Sequence, residues 1–169
     1  MTEAKMSPEQ DRIFAEIDIA APPERVFQAL IDEKQLRSWW GKEPTVELLQ
    51  FDMEGRAGGK FQYKCRPKAG SPHGEFYENL RKKGEDAFAC HGEVLESVPP
   101  KLLVWSWIAN WHEHPDHATT VRWELTPTKN GTHVRVTHSG LAQEPISRKD
   151  YAGGWQGVLR LLQTHVQQH

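Results

Sequence analysis

The chain has 169 residues, enough for one domain that buries roughly 70% of its unfolded surface and too few for two ordinary ones. Lysine and arginine number 21 against 23 aspartates and glutamates, a formal charge of −2, so no net positive field exists to hold phosphate backbones, and nucleic acid is excluded as a general partner. No apolar run reaches the length of a membrane span, the first eleven residues lack the apolar core of a signal peptide, and two cysteines cannot build a disulfide framework, so a cytoplasmic protein without membrane insertion is expected.

Residues 1–10 are polar and non-periodic and are expected to form a disordered tail, leaving 11–169 as a single domain. Ile13, Ala15, Ile17 and Ile19 alternate with polar or outward residues, the period of a half-buried strand. Pro22-Pro23 stops it and suits the first turn of a helix carrying Val26, Phe27 and Leu30 on one face. A second short helix over 33–40 presents Leu36, Trp39 and Trp40 and ends at Gly41. Strands follow at 46–51, after Gly58-Gly59, at 88–97, at 102–108 after the Pro99-Pro100 corner, at 119–125, and at 132–138 after a Lys-Asn-Gly turn. The last segment changes period: Tyr151, Trp155, Val158, Leu159, Leu162 and Val166 form the stripe of an amphipathic helix.

Residues 66–86 carry Gly and Pro and exceed any hairpin turn in length, so they are read as a lid-like loop. In an antiparallel meander that loop, the 109–118 connection and the turn into the last helix gather at one end. One strand face carries Phe61, Tyr63, Trp105, Trp107, Trp123 and His138, and the helix turns Trp155 and Leu159 toward it. A cleft lined by these aromatics, opening where the loops meet, is the expected ligand site, with Trp39, Trp40 and Tyr151 at its wall.

His138 points inward and is the candidate acid or base, with Tyr63 as its companion; the alternative is a core histidine held by hydrogen bonds. Which of Cys90 and His91 faces the cleft is open. His112, His114 and His117 sit within six residues and are the candidate metal ligands, yet Pro115 breaks helical spacing and the tract reads as a solvated connection, so no metal and no cofactor are expected. No nucleophile elbow, phosphate-cradling loop or dinucleotide fingerprint occurs.

Several local signatures occur in a telling order: Ala21-Pro22-Pro23-Glu24-Arg25-Val26-Phe27 after the first strand, Leu36-Arg37-Ser38-Trp39-Trp40, Gly58-Gly59-Lys60-Phe61, His91-Gly92-Glu93-Val94, Val98-Pro99-Pro100-Lys101-Leu102, Thr137-His138-Ser139-Gly140, and Gly154-Trp155. Over residues 12–166 they resemble the START-like helix-grip superfamily and, within it, the homologues of the heat-shock-protein-90 ATPase activator. The resemblance implies an α+β fold in which a curved seven-stranded antiparallel sheet wraps a long C-terminal helix, with two short helices after strand one and an internal apolar cavity. It further implies a small hydrophobic ligand or lipid. The family often carries His where this chain has Tyr151, and its 66–86 segment is usually shorter.

Three functions follow as expectations. The first is a binding protein for a small apolar molecule; the second is a pocket enzyme of cyclase or proton-transfer type using His138 and Tyr63; the third is a co-chaperone-like interaction domain with a chaperone as partner. A homodimer is a further expected assembly.

Overall fold

Every segment with a period of two becomes a strand of one antiparallel sheet. The computed structural model describes residues 3–6, 11–42, 46–68 and 75–168, with the backbone alone for 3–6, 75–77 and 79. In chain order the elements are β1 (Glu3–Met6), β2 (Ile13–Ile19), α1 (Pro23–Ile31), α2 (Glu33–Trp39), β3 (Val46–Met53), β4 (Lys60–Pro67), α3 (Glu75–Lys82), β5 (Phe88–Val98), β6 (Leu102–Ala109), β7 (Thr119–Thr128), β8 (Gly131–Ser139) and α4 (Pro145–Gln168). The sheet order is β1-β2-β8-β7-β6-β5-β4-β3, so the meander from β3 to β8 closes onto β2 and α4 returns along the concave face.

Strands β2 to β8 are the seven expected ones, with α1 and α2 following the first of them and α4 as the long gripped helix. The tail differs from expectation. Residues 3–6 pair antiparallel with β2, Glu3 opposite Glu16 and Met6 opposite Ile13, because β2 would otherwise expose a full row of unpaired backbone groups. Within the segment read as a lid-like loop, 75–82 form helix α3, seated by a fully buried Leu80; residues 69–74 of that segment lie outside the described ones. Helix α4 also begins six residues before Tyr151, with Pro145 as its first residue, a position where a missing N–H is harmless.

Register places the functional face. Ile13, His138, Val121, Trp105 and Val94 form one row across β2, β8, β7, β6 and β5. Trp123 lies opposite both Leu103 and Val136 in the next row, and Trp107 lies opposite Thr119. Under this face Gly92 gives close passage: a Cβ there would sit 2.0 Å from the Ser106 carbonyl oxygen and 2.8 Å from the Phe61 ring.

Helix α2 rides on the sheet edge. The Glu33 carboxylate accepts from the Met53 N–H at 2.9 Å, and Arg37 donates to the Phe51 carbonyl at 2.8 Å and pairs with Asp52 at 3.0 Å. These side chains use backbone groups that an edge strand leaves without a ladder partner. Helix α4 is anchored at its far end to β2, Gln163 donating to the Asp18 carbonyl and Gln167 accepting from the Ala20 N–H.

Midway along α4, Gly153 and Gly154 are exposed, and a Cβ on either meets nothing within 4 Å. Helix-interior glycine costs about 0.5–1 kcal/mol relative to alanine. The double substitution Gly153→Ala/Gly154→Ala is therefore expected to raise unfolding free energy by about 1–2 kcal/mol in urea titration with an unchanged slope. No gain would show that this stretch is not regular helix in solution.

Candidate functional site

The concave face is wider than one helix can cover, and aromatic rings fill the difference. Strands β4 and β6 supply Phe61, Tyr63, Trp105 and Trp107, β7 supplies Trp123, and α4 supplies Tyr151, Trp155 and Leu159. Trp40, the residue that caps α2, occupies the middle of this group, with ring centroids 5.4 Å from Phe51, 5.4 Å from Tyr63, 6.2 Å from Trp105, 6.4 Å from Trp107 and 6.3 Å from Trp155. The expected open cleft is closed at this level: Trp105, Trp107 and Trp155 are 0%, 2% and 2% exposed.

Trp39 meets the Trp40 ring, centroids 5.3 Å apart, and reaches from there toward α1 and the end of α4. Its indole donates to the Ala29 carbonyl at 2.9 Å and its ring stacks on His165 of α4. Beside it a groove of about 410 Å3, bordered by Ser38, Lys42, Leu161 and Thr164, runs between α2 and the end of α4, outside the aromatic group.

Trp155 has rings on several sides, those of Trp40, Trp107, Trp123, His138 and Tyr151. Truncation removes both transfer energy and packing that neighbours cannot recover, so Trp155→Ala is expected to lower stability by about 3–5 kcal/mol. A loss below about 1 kcal/mol in urea titration would show that the ring borders empty space instead.

At the loop end of this group lies a buried polar chain. The Trp155 indole donates to Nδ1 of His138 at 3.1 Å, and Nε2 of His138 lies 2.7 Å from the Thr119 hydroxyl, which donates to the Trp107 carbonyl at 3.0 Å. Indole is a donor only, so Nδ1 accepts and the proton sits on Nε2. His138 is thus a neutral imidazole with both nitrogens engaged, and burial, aided by the neighbouring His112, holds its pKa well below the usual histidine value. Tyr151 forms the second chain: its hydroxyl accepts from the Trp107 indole at 3.0 Å and lies 2.8 Å from Nε2 of His112. Burial pushes the Tyr151 and Tyr63 phenols well above 10 and lowers His112 to about 4.

A pair of carboxylates clasps the 110–118 connection onto the start of α4. Buried Glu144 accepts from the backbone N–H groups of Glu113 and His114, while Glu113 accepts from the Ile146 N–H at 2.9 Å. His117 faces the same Glu144 carboxylate at 3.4 Å.

The model of the family described as "Activator of Hsp90 ATPase homolog 1-like protein" matches residues 20–167. The chain belongs to that family. Solved structures with the same fold include a Rhodobacter sphaeroides protein, 18% identical, with 99% of each chain covered and a TM-score of 0.74. An AHSA1 protein from Silicibacter pomeroyi is 19% identical with 94% of this chain and 99% of that one covered and a TM-score of 0.71. The AHSA1-like protein from Aeromonas hydrophila is 20% identical with 92% of each chain covered and a TM-score of 0.66. No curated protein matches the chain.

In this AHSA1-like chain the fold brings most of the sequence-predicted site residues together. Trp39, Trp40, Phe61, Tyr63, Trp105, Trp107, Trp123, Tyr151, Trp155 and Leu159 all belong to one buried cluster, against which the buried His138 ring packs, and Cys90, not the exposed His91, faces it. The three metal candidates do not converge. His112 is buried against Tyr151, His117 turns to Glu144, and His114 is exposed; among the described residues no group of three or more His, Cys, Asp or Glu is placed to hold a metal ion. His112 is therefore not part of a solvated connection, because Ala109 and Trp111 carry the chain inward at that point. Trp111, Glu144 and Ser147 complete this end and were not among the sequence candidates. Glu144-Pro145 carries the only available cue, an acidic residue ahead of a first-turn proline. No helix among the described residues is long and apolar enough to cross a membrane.

Two histidines held neutral give stability a definite pH dependence. Both pKa values are lower folded than unfolded, so the unfolded chain binds more protons once the pH drops below about 6.5. Stability is full above about pH 7 with respect to these groups and is expected to fall steadily toward pH 4. The half-buried His133, held charged between Glu16 and Asp18, has a raised pKa and opposite sign, so its small contribution is complete below about 6.5 and fades at higher pH. Urea midpoints measured from pH 4.5 to 7.5 test this, and a flat profile over that range contradicts neutral burial of His112 and His138.

Proposed function

We propose that the protein binds a small, largely apolar molecule between the sheet and α4, the ligand taking the place that Trp40 fills in the closed form. The observation that supports this is the position of Trp40. Five rings that it meets, those of Phe51, Tyr63, Trp105, Trp107 and Trp155, are carried by the sheet or by α4, whereas Trp40 caps a seven-residue helix and is followed by Gly41 at φ 77°. That helix is latched to edge strand β3 by Glu33 and Arg37, both partly or fully exposed, and such contacts exchange with water at little cost. Gly153 and Gly154, immediately before Trp155, give α4 local freedom on the opposite wall.

The pocket-enzyme reading has less support, since His138 and Tyr63 are buried and both nitrogens of His138 are already engaged. The co-chaperone-like reading is weakened by an outer sheet face that presents Asp18, Gln62, Lys64 and Arg122 instead of an apolar patch.

Titration with naphthalene, followed by quenching of tryptophan fluorescence, tests the reading. Saturable binding to the native chain is expected. Arg37→Ala, which loosens α2 without touching the cluster, is expected to tighten binding severalfold, and Trp40→Ala to tighten it by about tenfold or more because the competent state no longer has to be opened. Saturation in Trp40→Ala alone, with none in the native chain, would mean that the space is ordinary core. Native mass spectrometry of freshly purified protein then identifies any retained molecule.

A further inference from the structure

Two buried polar atoms at the loop end of the cluster meet no hydrogen-bond partner: Nδ1 of His112 and the hydroxyl of Ser147. Both residues are fully buried. They flank Tyr151 from two directions. Ser147 precedes it by one turn on the same face of α4, and His112 holds its hydroxyl at 2.8 Å. Glu113, the next residue after His112, accepts from the N–H of Ile146, so the backbone carrying His112 lies against the turn that carries Ser147. Buried polar groups are satisfied in the great majority of cases, and two orphans flanking one side chain call for a partner that serves both.

The hydrogen-bond chain fixes what that partner is. Tyr151 accepts from the Trp107 indole, which can only donate, so its own proton is directed at its other partner, Nε2 of His112. A neutral imidazole carries one proton, which then sits on Nδ1 and makes it a donor. The Ser147 hydroxyl donates or accepts by rotation. A fixed donor beside a rotatable hydroxyl complements a neutral oxygen with two lone pairs. An anion is disfavoured: the buried Glu144 carboxylate sits on the backbone N–H groups of Glu113 and His114, directly after His112, and Lys83 donates to the His112 carbonyl and not to its ring.

We propose that His112 Nδ1 and Ser147 Oγ form a polar subsite that receives a ketone, ester or similar neutral carbonyl oxygen of an otherwise apolar ligand. This rests on the binding reading above and narrows its ligand class to apolar molecules that carry a neutral carbonyl oxygen, setting carboxylates such as fatty acids aside.

Three probes on one ring system test it: naphthalene, 2-acetylnaphthalene and 2-naphthoate, titrated into the native chain, Ser147→Ala and His112→Phe. In the native chain the ketone is expected to bind about tenfold tighter than naphthalene, and the carboxylate more weakly than either. Ser147→Ala removes a single hydroxyl and keeps the packing, so it is expected to cut the ketone preference at least threefold while leaving naphthalene affinity within about twofold. His112→Phe is expected to abolish the preference; if it fails to fold, Ser147→Ala decides alone. Equal binding of ketone and naphthalene by the native chain, or a preference untouched by Ser147→Ala, overturns the subsite while the apolar-ligand reading stands. Tightest binding of 2-naphthoate overturns it in favour of an anion site. Binding of none of the three removes both readings together.

Discussion

A helix about 10 Å across cannot cover the concave face of a sheet whose eight strands lie about 4.8 Å apart. Curling the sheet narrows the gap without closing it, and what remains must be filled by side chains long enough to reach from strand to helix. Tryptophan is the longest rigid apolar filler available. Trp105 and Trp107 on β6, Trp123 on β7, Trp155 on α4 and Trp40 from α2 answer that geometric demand, and their ring centroids stand between 5.3 and 6.4 Å apart where they meet.

Filling a core with indoles brings a second demand, because each carries an N–H that loses about 1–3 kcal/mol if buried without an acceptor. The polar groups of the interior are best understood as answers to it. His138 accepts from Trp155, the Tyr151 hydroxyl from Trp107, and the Ala29 carbonyl from Trp39. Trp105 and Trp123 have no such partner and meet neighbouring rings edge to face instead, the arrangement that sets a positive ring edge on a negative ring face. His138 is therefore inside because Trp155 is inside. That accounts for a neutral, doubly engaged imidazole at a position where a catalytic base would need a free nitrogen.

Strand alternation and the α4 stripe are local signals, and they were sufficient to order the elements from Ile13 to Val166 and to choose the inward face. What stayed illegible depends on contacts distant in sequence. Trp40 follows Trp39 directly, and nothing in the pair says which ring meets Trp105, Trp107 and Trp155 and which meets His165 of α4; Glu33 and Arg37 decide it by fixing α2 on β3. His112 sits in a tract whose composition reads as solvated, and only the seating of Tyr151 above β6 draws it inward. The 75–82 helix lies among glycines and prolines that mark a loop, and eight residues are too short a stretch for periodicity to announce it. Likewise β1 forms because β2 has an edge to cover, a reason absent from its own four residues.

On the proposed reading, occupancy of this interior is an exchange. A ligand that expels Trp40 recovers burial that the indole had already provided, so an apolar molecule of similar area gains little net free energy from the cluster alone. Net affinity must come from something Trp40 does not supply. Trp40 contacts Phe51, Tyr63, Trp105, Trp107 and Trp155, and no ring contact joins it to His112. Two groups with unused hydrogen-bonding capacity, His112 Nδ1 and Ser147 Oγ, lie beyond that reach at the loop end. A molecule long enough to replace the indole and also deliver an oxygen there would gain affinity where the closed form has none to lose, which makes length and one polar terminus, more than hydrophobicity, the properties by which this interior would select.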